Sequence, residues 1–295
     1  MTRTLYRNGR IFTGDESRWS DALVVDGDTF VHVGTEESAP PADALVDLEG
    51  RVVLPGFTDA HTHLLMMGEA LGQVGLTDAS SLEEIQHRLR AARDAAPGVL
   101  RGRGWLFDAI PGGEPTAAMI DAVVSDIPVY LDANDYHSCW VNTAALTELG
   151  ITRDTPDPIG GRIARDAQGE PTGMLYETAA QLHAWAHRDA TTTDAQRDAA
   201  VERVVSAYLA AGVTGAVDMA FDELGLAALD RAASRDSLPL RIAAHWFIVN
   251  TGDDAANLAQ VAQAAAHASA TTAGVRVLGI KLVLDGTIDA CTAAM

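Results

Sequence analysis

The sequence predicts an α/β protein in two parts, and three observations carry that reading. Residues 1–54 alternate β-branched and polar positions between turn dipeptides, Pro55-Gly56 breaks the pattern, and beyond it strand-like runs alternate with helical ones. Such alternation points to parallel βα units, in which each helix carries the chain back across the sheet.

Taken in order, TLYRNGRIFTG, ALVVDGDTFVHVG and ALVDLEGRVVLPG read as strands of a small antiparallel unit, punctuated at Asn8-Gly9, Asp26-Gly27 and Glu49-Gly50. SSLEEIQHRLRAARDAA (80–96) is a helix opened by a capping box, either Ser80/Glu83 or Ser81/Glu84, with Leu82, Ile85 and Leu89 on its apolar face. IPVYLDA (127–133) reads as a buried strand. The stretch 150–175 is rich in Gly, Pro and Asp and reads as loops with a hairpin, a candidate lid. Residues 194–212 form a helix closed by Gly212. GVTGAVDM, LRIAAHWFIV and VRVLGIKLVLDG follow as strands, separated by helices near 222–235 and 253–270. No repeat of fixed period occurs. The expected organisation is therefore a β portion over 1–54 and a larger α/β part over 55–295.

A chain of 295 residues with 47% hydrophobic and 21% charged residues has the profile of a soluble globular protein with a sizeable core. No run approaches the ~18 apolar residues of a membrane span, and the start lacks the apolar stretch of a secretory signal. The expectation is a cytoplasmic protein with no membrane partner. A net charge of -20 repels polyanions, which argues against nucleic acid. Two cysteines, Cys139 and Cys291, make neither a disulfide framework nor a C-x-x-C pair, and a reducing compartment fits.

The strongest chemical signal is Asp59-Ala60-His61-Thr62-His63, directly after a strand-like LPGF. Residues i and i+2 of a strand share a face, so His61 and His63 stand ~7 Å apart and can converge on one cation, with Asp59 placed to orient a ring. The second signal is Lys281, the one lysine of the chain, set among Ile280, Leu282, Val283 and Leu284. An ammonium on an apolar strand is desolvated, which favours the neutral amine. A neutral amine can take up carbon dioxide as a carbamate, whereas the 20 arginines used elsewhere cannot lose their protons.

Together LPGFTDAHTH, GRGW at 102–105, YHSCWVNTAAL at 136–146, GEPTGMLYE at 169–177 and GIKLVLDGTIDACTAAM at 279–295 resemble the amidohydrolase superfamily. The closest branch is that of YtcJ-like and N-substituted-formamide-deformylase-like metal-dependent hydrolases. The resemblance implies a partial (β/α)8 TIM barrel preceded by a small β-sandwich portion. It implies His61 and His63 as metal ligands and Lys281 as a carboxylated, bridging ligand with a catalytic role. It also implies one or two divalent ions, zinc foremost, and hydrolysis of C–N bonds in small amide-type substrates by a metal-activated water.

The family pattern further carries a histidine on each of two later strands and an aspartate on the last, and this sequence has no counterparts. Asp285 shares the Lys281 face but lies ~13 Å further along a strand. His245 reads as a core histidine or a ligand, His137 as a substrate contact or a packing residue, and Glu177 and Trp105 as further substrate candidates. His32, His87, His183, His187 and His267 read as surface or packing positions, and a His137–Cys139 thiol pair is disfavoured. An incomplete barrel leaves open strand edges, so association with a second copy or with a complementing C-terminal segment is expected. The alternative to an active hydrolase is an inactive fragment that at most binds a divalent cation.

Overall fold

The computed structural model describes residues 2–14, 18–96, 98–135, 137–235, 238–249, 251, 253–268 and 274–283. The chain divides into two compact units, Met1–Thr58 with Gly212–Gly215, and Asp59–Ala211 with Ala216–Met295.

The first unit contains β1 (Arg3–Arg7), β2 (Arg10–Phe12), β3 (Trp19–Ser20), β4 (Ala22–Asp26), β5 (Thr29–Gly34), β6 (Ala44–Asp47) and β7 (Val52–Val53). They form two sheets, ordered β5-β4-β1-β6 and β3-β2-β7. The unit is mixed rather than antiparallel, because β1 pairs with β6, and β2 with β7, in parallel. The turn residues explain this. Asn8 (φ 56°), Glu49 (φ 54°) and Gly50 (φ 75°) bend the chain out of one sheet into the other instead of folding it back on itself. The two corners are knitted by Gly50 N–H to Asn8 O (2.7 Å) and Arg10 N–H to Arg51 O (2.9 Å), so β1–β2 and β6–β7 run side by side. Asp26-Gly27 does make a hairpin, joining β4 to β5.

The second unit takes in β8 (Phe57–Thr62) from Asp59 onward and then α1 (Leu64–Ala70). There follow β9 (Val74–Gly75), α2 (Leu82–Arg93), β10 (Leu100–Trp105), α3 (Ala117–Asp121), β11 (Val129–Ala133), β12 (Ser138–Val141), α4 (Thr143–Glu148), β13 (Gly161–Arg165) and β14 (Pro171–Glu177). Strands β9 to β14 form a six-stranded sheet of order β13-β14-β12-β11-β10-β9. Only β9, β10 and β11 run parallel; β12, β13 and β14 pair antiparallel, so the Gly- and Pro-rich stretch supplies the sheet's outer hairpin. The capping residue of α2 is Ser81, whose Oγ accepts from Glu84 N–H, while the Glu84 carboxylate takes the Ser80 N–H at 2.7 Å.

This sheet holds a dense core of Leu76, Ile85, Leu89, Leu131, Met174 and the Trp105/Trp140 pair, whose rings lie 5.5 Å apart. Asn142 is fully buried and fully satisfied: its Oδ1 accepts from Val129 and Ala145 N–H, and its Nδ2 donates to the Val124 and Ile127 carbonyls.

A π-helical turn, Ala180–Trp185, leads into α5 (Ala186–Thr191) and α6 (Asp194–Ala210), which Thr193 and Gln196 open with a reciprocal capping box. Then come β15 (Val213–Phe221), α7 (Glu223–Arg235), β16 (Arg241–Phe247), α8 (Asp254–Ala268) and β17 (Val275–Lys281). Strands β8, β15, β16 and β17 neighbour one another in sequence order in a four-stranded sheet, with helices α7 and α8 between successive strands. That is the order of consecutive strands in a barrel, and the six-stranded sheet is inserted between its first and second members. Among the described residues, no helix is long and apolar enough to cross a membrane.

Candidate functional site

Both histidines of the HxH pair sit where β8 meets α1. Their ring centroids are 5.7 Å apart with the planes near perpendicular, His61 exposed and His63 half-buried. Helix α1 starts directly at His63 without a side-chain cap of its own. Its first N–H, on Leu64, is instead taken by Asp218 at the C-terminal end of β15 (2.9 Å), whose other oxygen accepts from Ala220 N–H (2.9 Å). Asp218 is 3% exposed, and burial pushes its carboxyl above the ordinary carboxylate range. Burial also holds the His63 imidazole below its ordinary value; the charges of His61 and Lys281 act the same way, and Asp218 opposes them.

Lys281 reaches this place through an irregularity in β17. Ala244 pairs with Val277 but His245 pairs with Gly279, so Leu278 is one residue too many for the ladder. Val275 and Val277, opposite Ile242 and Ala244, are buried. Past the bulge the odd-numbered residues change faces, and Lys281 lies opposite Phe247. Gly279 permits the crossing, since a Cβ there would stand 2.9 Å from the His245 ring.

A cavity of about 460 Å³ results, lined by His63, Asp218, Lys281 and Phe247 together with Glu69 and Arg188. Desolvation raises the carboxyl of the half-buried Glu69, and that of Asp222 on the same wall, above the ordinary carboxylate range. The chain segments concerned are held closely: a Cβ on Gly68 of α1 would meet the Ala200 carbonyl of α6 at 2.1 Å.

The sequence-derived candidates distribute unevenly. His61, His63 and Lys281 are brought together electrostatically, and His63 and Lys281 share the cavity wall. Asp59 is turned to Tyr208 Oη (2.8 Å) and the His61 N–H (3.1 Å) rather than to an imidazole ring. Trp105, expected at the substrate, is completely buried in the core with its Nε1 donating to Leu131 O. His137 and Glu177 find each other, Nδ1 to Oε2 at 2.8 Å, with Glu177 N–H donating to His137 O (2.7 Å). Glu177 adopts a φ of 53° there, a left-handed conformation that costs a non-glycine residue of order 1 kcal/mol. Neither of them lines the cavity. Asp285 lies outside the described residues. Asp218 was missed by sequence reasoning; its signal is a carboxylate near the C-terminal end of an apolar strand, GAVDM.

Do these residues suit a metal ion? His63 Nδ1 is buried with no hydrogen-bond partner among the described residues, and imidazole nitrogens suit several divalent ions. Among the described residues, no group of three or more His, Cys, Asp or Glu side chains is assembled for a metal.

The family model described as the amidohydrolase family matches residues 44–295. The chain belongs to that family. It is 36% identical over 218 residues to the exoenzymes regulatory protein AepA of Pectobacterium carotovorum subsp. carotovorum, covering 69% of this chain and 45% of the relative. It is 37% identical over 214 residues to an N-substituted formamide deformylase of Arthrobacter pascens, covering 68% and 39%. The chain thus spans less than half the length of these relatives. The structure of an uncharacterized metal-dependent hydrolase from Pyrococcus horikoshii OT3 superposes with a TM-score of 0.75 at 23% identity, covering 98% of this chain and 56% of that one. A second, from Pyrococcus furiosus, gives 0.73 at 22% identity with 98% and 57% covered. The fold is therefore that of these amidohydrolase-type structures, present here as a partial barrel.

Proposed function

We propose that this chain supplies the metal-binding side of a hydrolase that cleaves amide-type, non-peptide C–N bonds in small molecules by way of a metal-activated water. The observation that carries the reading is the convergence of His63, Asp218 and Lys281, from three separate strand ends, on one cavity. The relative named as an N-substituted formamide deformylase supports the C–N bond class.

His61, His63 and Lys281 would hold the ion, zinc first among the divalent candidates. A bound cation would supply polarisation of the carbonyl and a lowered pKa for water. The residues of the chain do the rest. His63, whose imidazole burial holds below its ordinary range, offers the Nδ1 that has no partner among the described residues. Asp218 fixes the His63–Leu64 junction through the Leu64 N–H, is itself held by the Ala220 N–H of its own strand, and opposes the positive charges at His63. Lys281 as a carbamate would add an anionic oxygen donor, which its position beyond the bulge directs to the cavity.

Among the described residues β17 is at the edge of its sheet, and Leu278 and Ile280, with Leu282 and Val283 just beyond it, are exposed. A second copy or a complementing segment would cover that edge, and residues 1–295 by themselves are expected to turn over little substrate. The test is metal content by plasma mass spectrometry together with hydrolysis of N-substituted formamides, in the wild type, His63→Ala and Lys281→Arg. Stoichiometric zinc lost in both variants is the expected result. A metal content unchanged by both substitutions would refute the assignment.

A further inference from the structure

In a chain whose carboxylates outnumber its basic residues 41 to 21, a second cleft of about 680 Å³ is lined by four arginines, Arg88, Arg101, Arg188 and Arg203, against one acidic side chain, Glu69. The sequence of β10 builds one wall. In LRGRGW, Leu100, Gly102 and Gly104 are buried, while Arg101 and Arg103 alternate with them, half-exposed. Arg103 is committed to the Ala70 carbonyl of α1 (3.1 Å).

The four cleft arginines are not equally engaged. Arg88 holds Asp78 and the Gly75 carbonyl, and Arg188 holds Asp189 at 3.0 Å and Asp132 at 3.7 Å. Among the described residues Arg203 uses only its Nε, donating to Gly68 O (2.9 Å), and both terminal nitrogens have no partner there. Arg101 has neither a hydrogen bond nor an ion pair among the described residues; its guanidinium carbon lies 5.3 Å from the centroid of the Tyr130 ring. Burial and the neighbouring Arg188 charge depress the Arg101 guanidinium below its ordinary value.

A guanidinium over an aromatic ring, lining the same cleft as a second with two terminal nitrogens unbonded among the described residues, offers donor pairs that suit the forked geometry of a carboxylate or phosphate. We propose that this cleft binds a small oxyanion, a carboxylate or a phosphate group, through Arg101 and Arg203. The cleft shares Glu69 and Arg188 with the first cavity, but Arg101 and Arg203 do not line that cavity, so the proposal does not rest on the hydrolytic reading.

Calorimetric titration of the 295-residue chain with inorganic phosphate and with succinate, at low ionic strength, tests it. Saturable binding of either anion is expected, weakened at least tenfold in Arg101→Gln and in Arg203→Gln and unchanged in the exposed Arg153→Gln. Binding of phosphate alone or of succinate alone names the oxyanion. In parallel, phenylglyoxal modification of the wild type, mapped by mass spectrometry, should slow at Arg101 and Arg203 but not at Arg153 when the anion is present. No saturable binding, binding that survives both glutamine substitutions, or equal modification rates with and without anion would each overturn the proposal.

Discussion

In the six-stranded sheet, β11 and β12 are buried along their whole length, whereas in the four-stranded sheet β16 alternates buried residues with half-exposed ones. The first sheet spends both faces on packing. The second packs Ile242, Ala244 and Trp246 on one face and leaves His245 and Phe247 for the other. One sheet is a scaffold and the other carries the candidate residues of the site. The difference teaches that stability and chemistry can be perturbed separately here, and four substitutions or measurements test how separate they are.

The largest effect belongs to the scaffold. Trp140 is fully buried and donates its Nε1 to Thr116 O, so Trp140→Ala should cost about 3–5 kcal/mol in denaturant unfolding through the cavity it leaves. A loss below ~1 kcal/mol would mean that the six-stranded sheet does not bear the stability assigned to it. On the other sheet, His63→Ala should lower zinc affinity tenfold or more, about 1.4 kcal/mol, in competition titrations with a chromophoric chelator, while the unfolding midpoint moves little. A comparable loss of stability would merge the two roles.

A third test uses pH. Cys139 is wholly buried in the scaffold, and desolvation, reinforced by Asp132, pushes its thiol far above the ordinary range. Unfolded cysteine ionises near ~8.5. Above that pH the unfolded state loses a proton the native state keeps, so this residue's contribution to stability falls as the solution becomes alkaline. Iodoacetamide at pH 8.5, followed by peptide mapping, should label Cys139 only after denaturation. The smallest effect is at Glu177. Glycine accepts the left-handed backbone freely, so Glu177→Gly should unfold about 1 kcal/mol later than Glu177→Ala, which loses the same contact to His137 but keeps the strain.

Much of this was legible in local chemistry. Ser81 and Glu84, Gly212 after α6, the turn dipeptides and the buried run 127–133 announce their elements because each rests on a few neighbouring residues. Register and partner choice did not announce themselves. Nothing near Asn8 or Glu49 says that β1 and β6 will pair in parallel, and strands alternating with helices look alike whether they enter the barrel or the inserted sheet. The site divides along the same line. The HxH pair and the solitary lysine stand out by residue type, but Asp218 joins them only because β15 neighbours β8 across a long insertion. Trp105 was misplaced for a related reason: an aromatic in a Gly- and Arg-rich motif reads as exposed until the buried Trp140 beside it is known.

The supernumerary Leu278 has one more consequence, for the kinds of mutation β17 can absorb. Removing a residue from a strand ordinarily turns every later side chain to the opposite side. Here excision of Leu278, itself 56% exposed, would close a regular ladder with Gly279 still facing His245 and Lys281 still facing Phe247. Excision of Ile280, two positions on, would instead rotate Lys281 out of the cavity. Two single-codon deletions within one heptapeptide should therefore have opposite outcomes, zinc binding kept in the first and lost in the second, so that chain length at this strand matters to the site as much as the identity of its lysine.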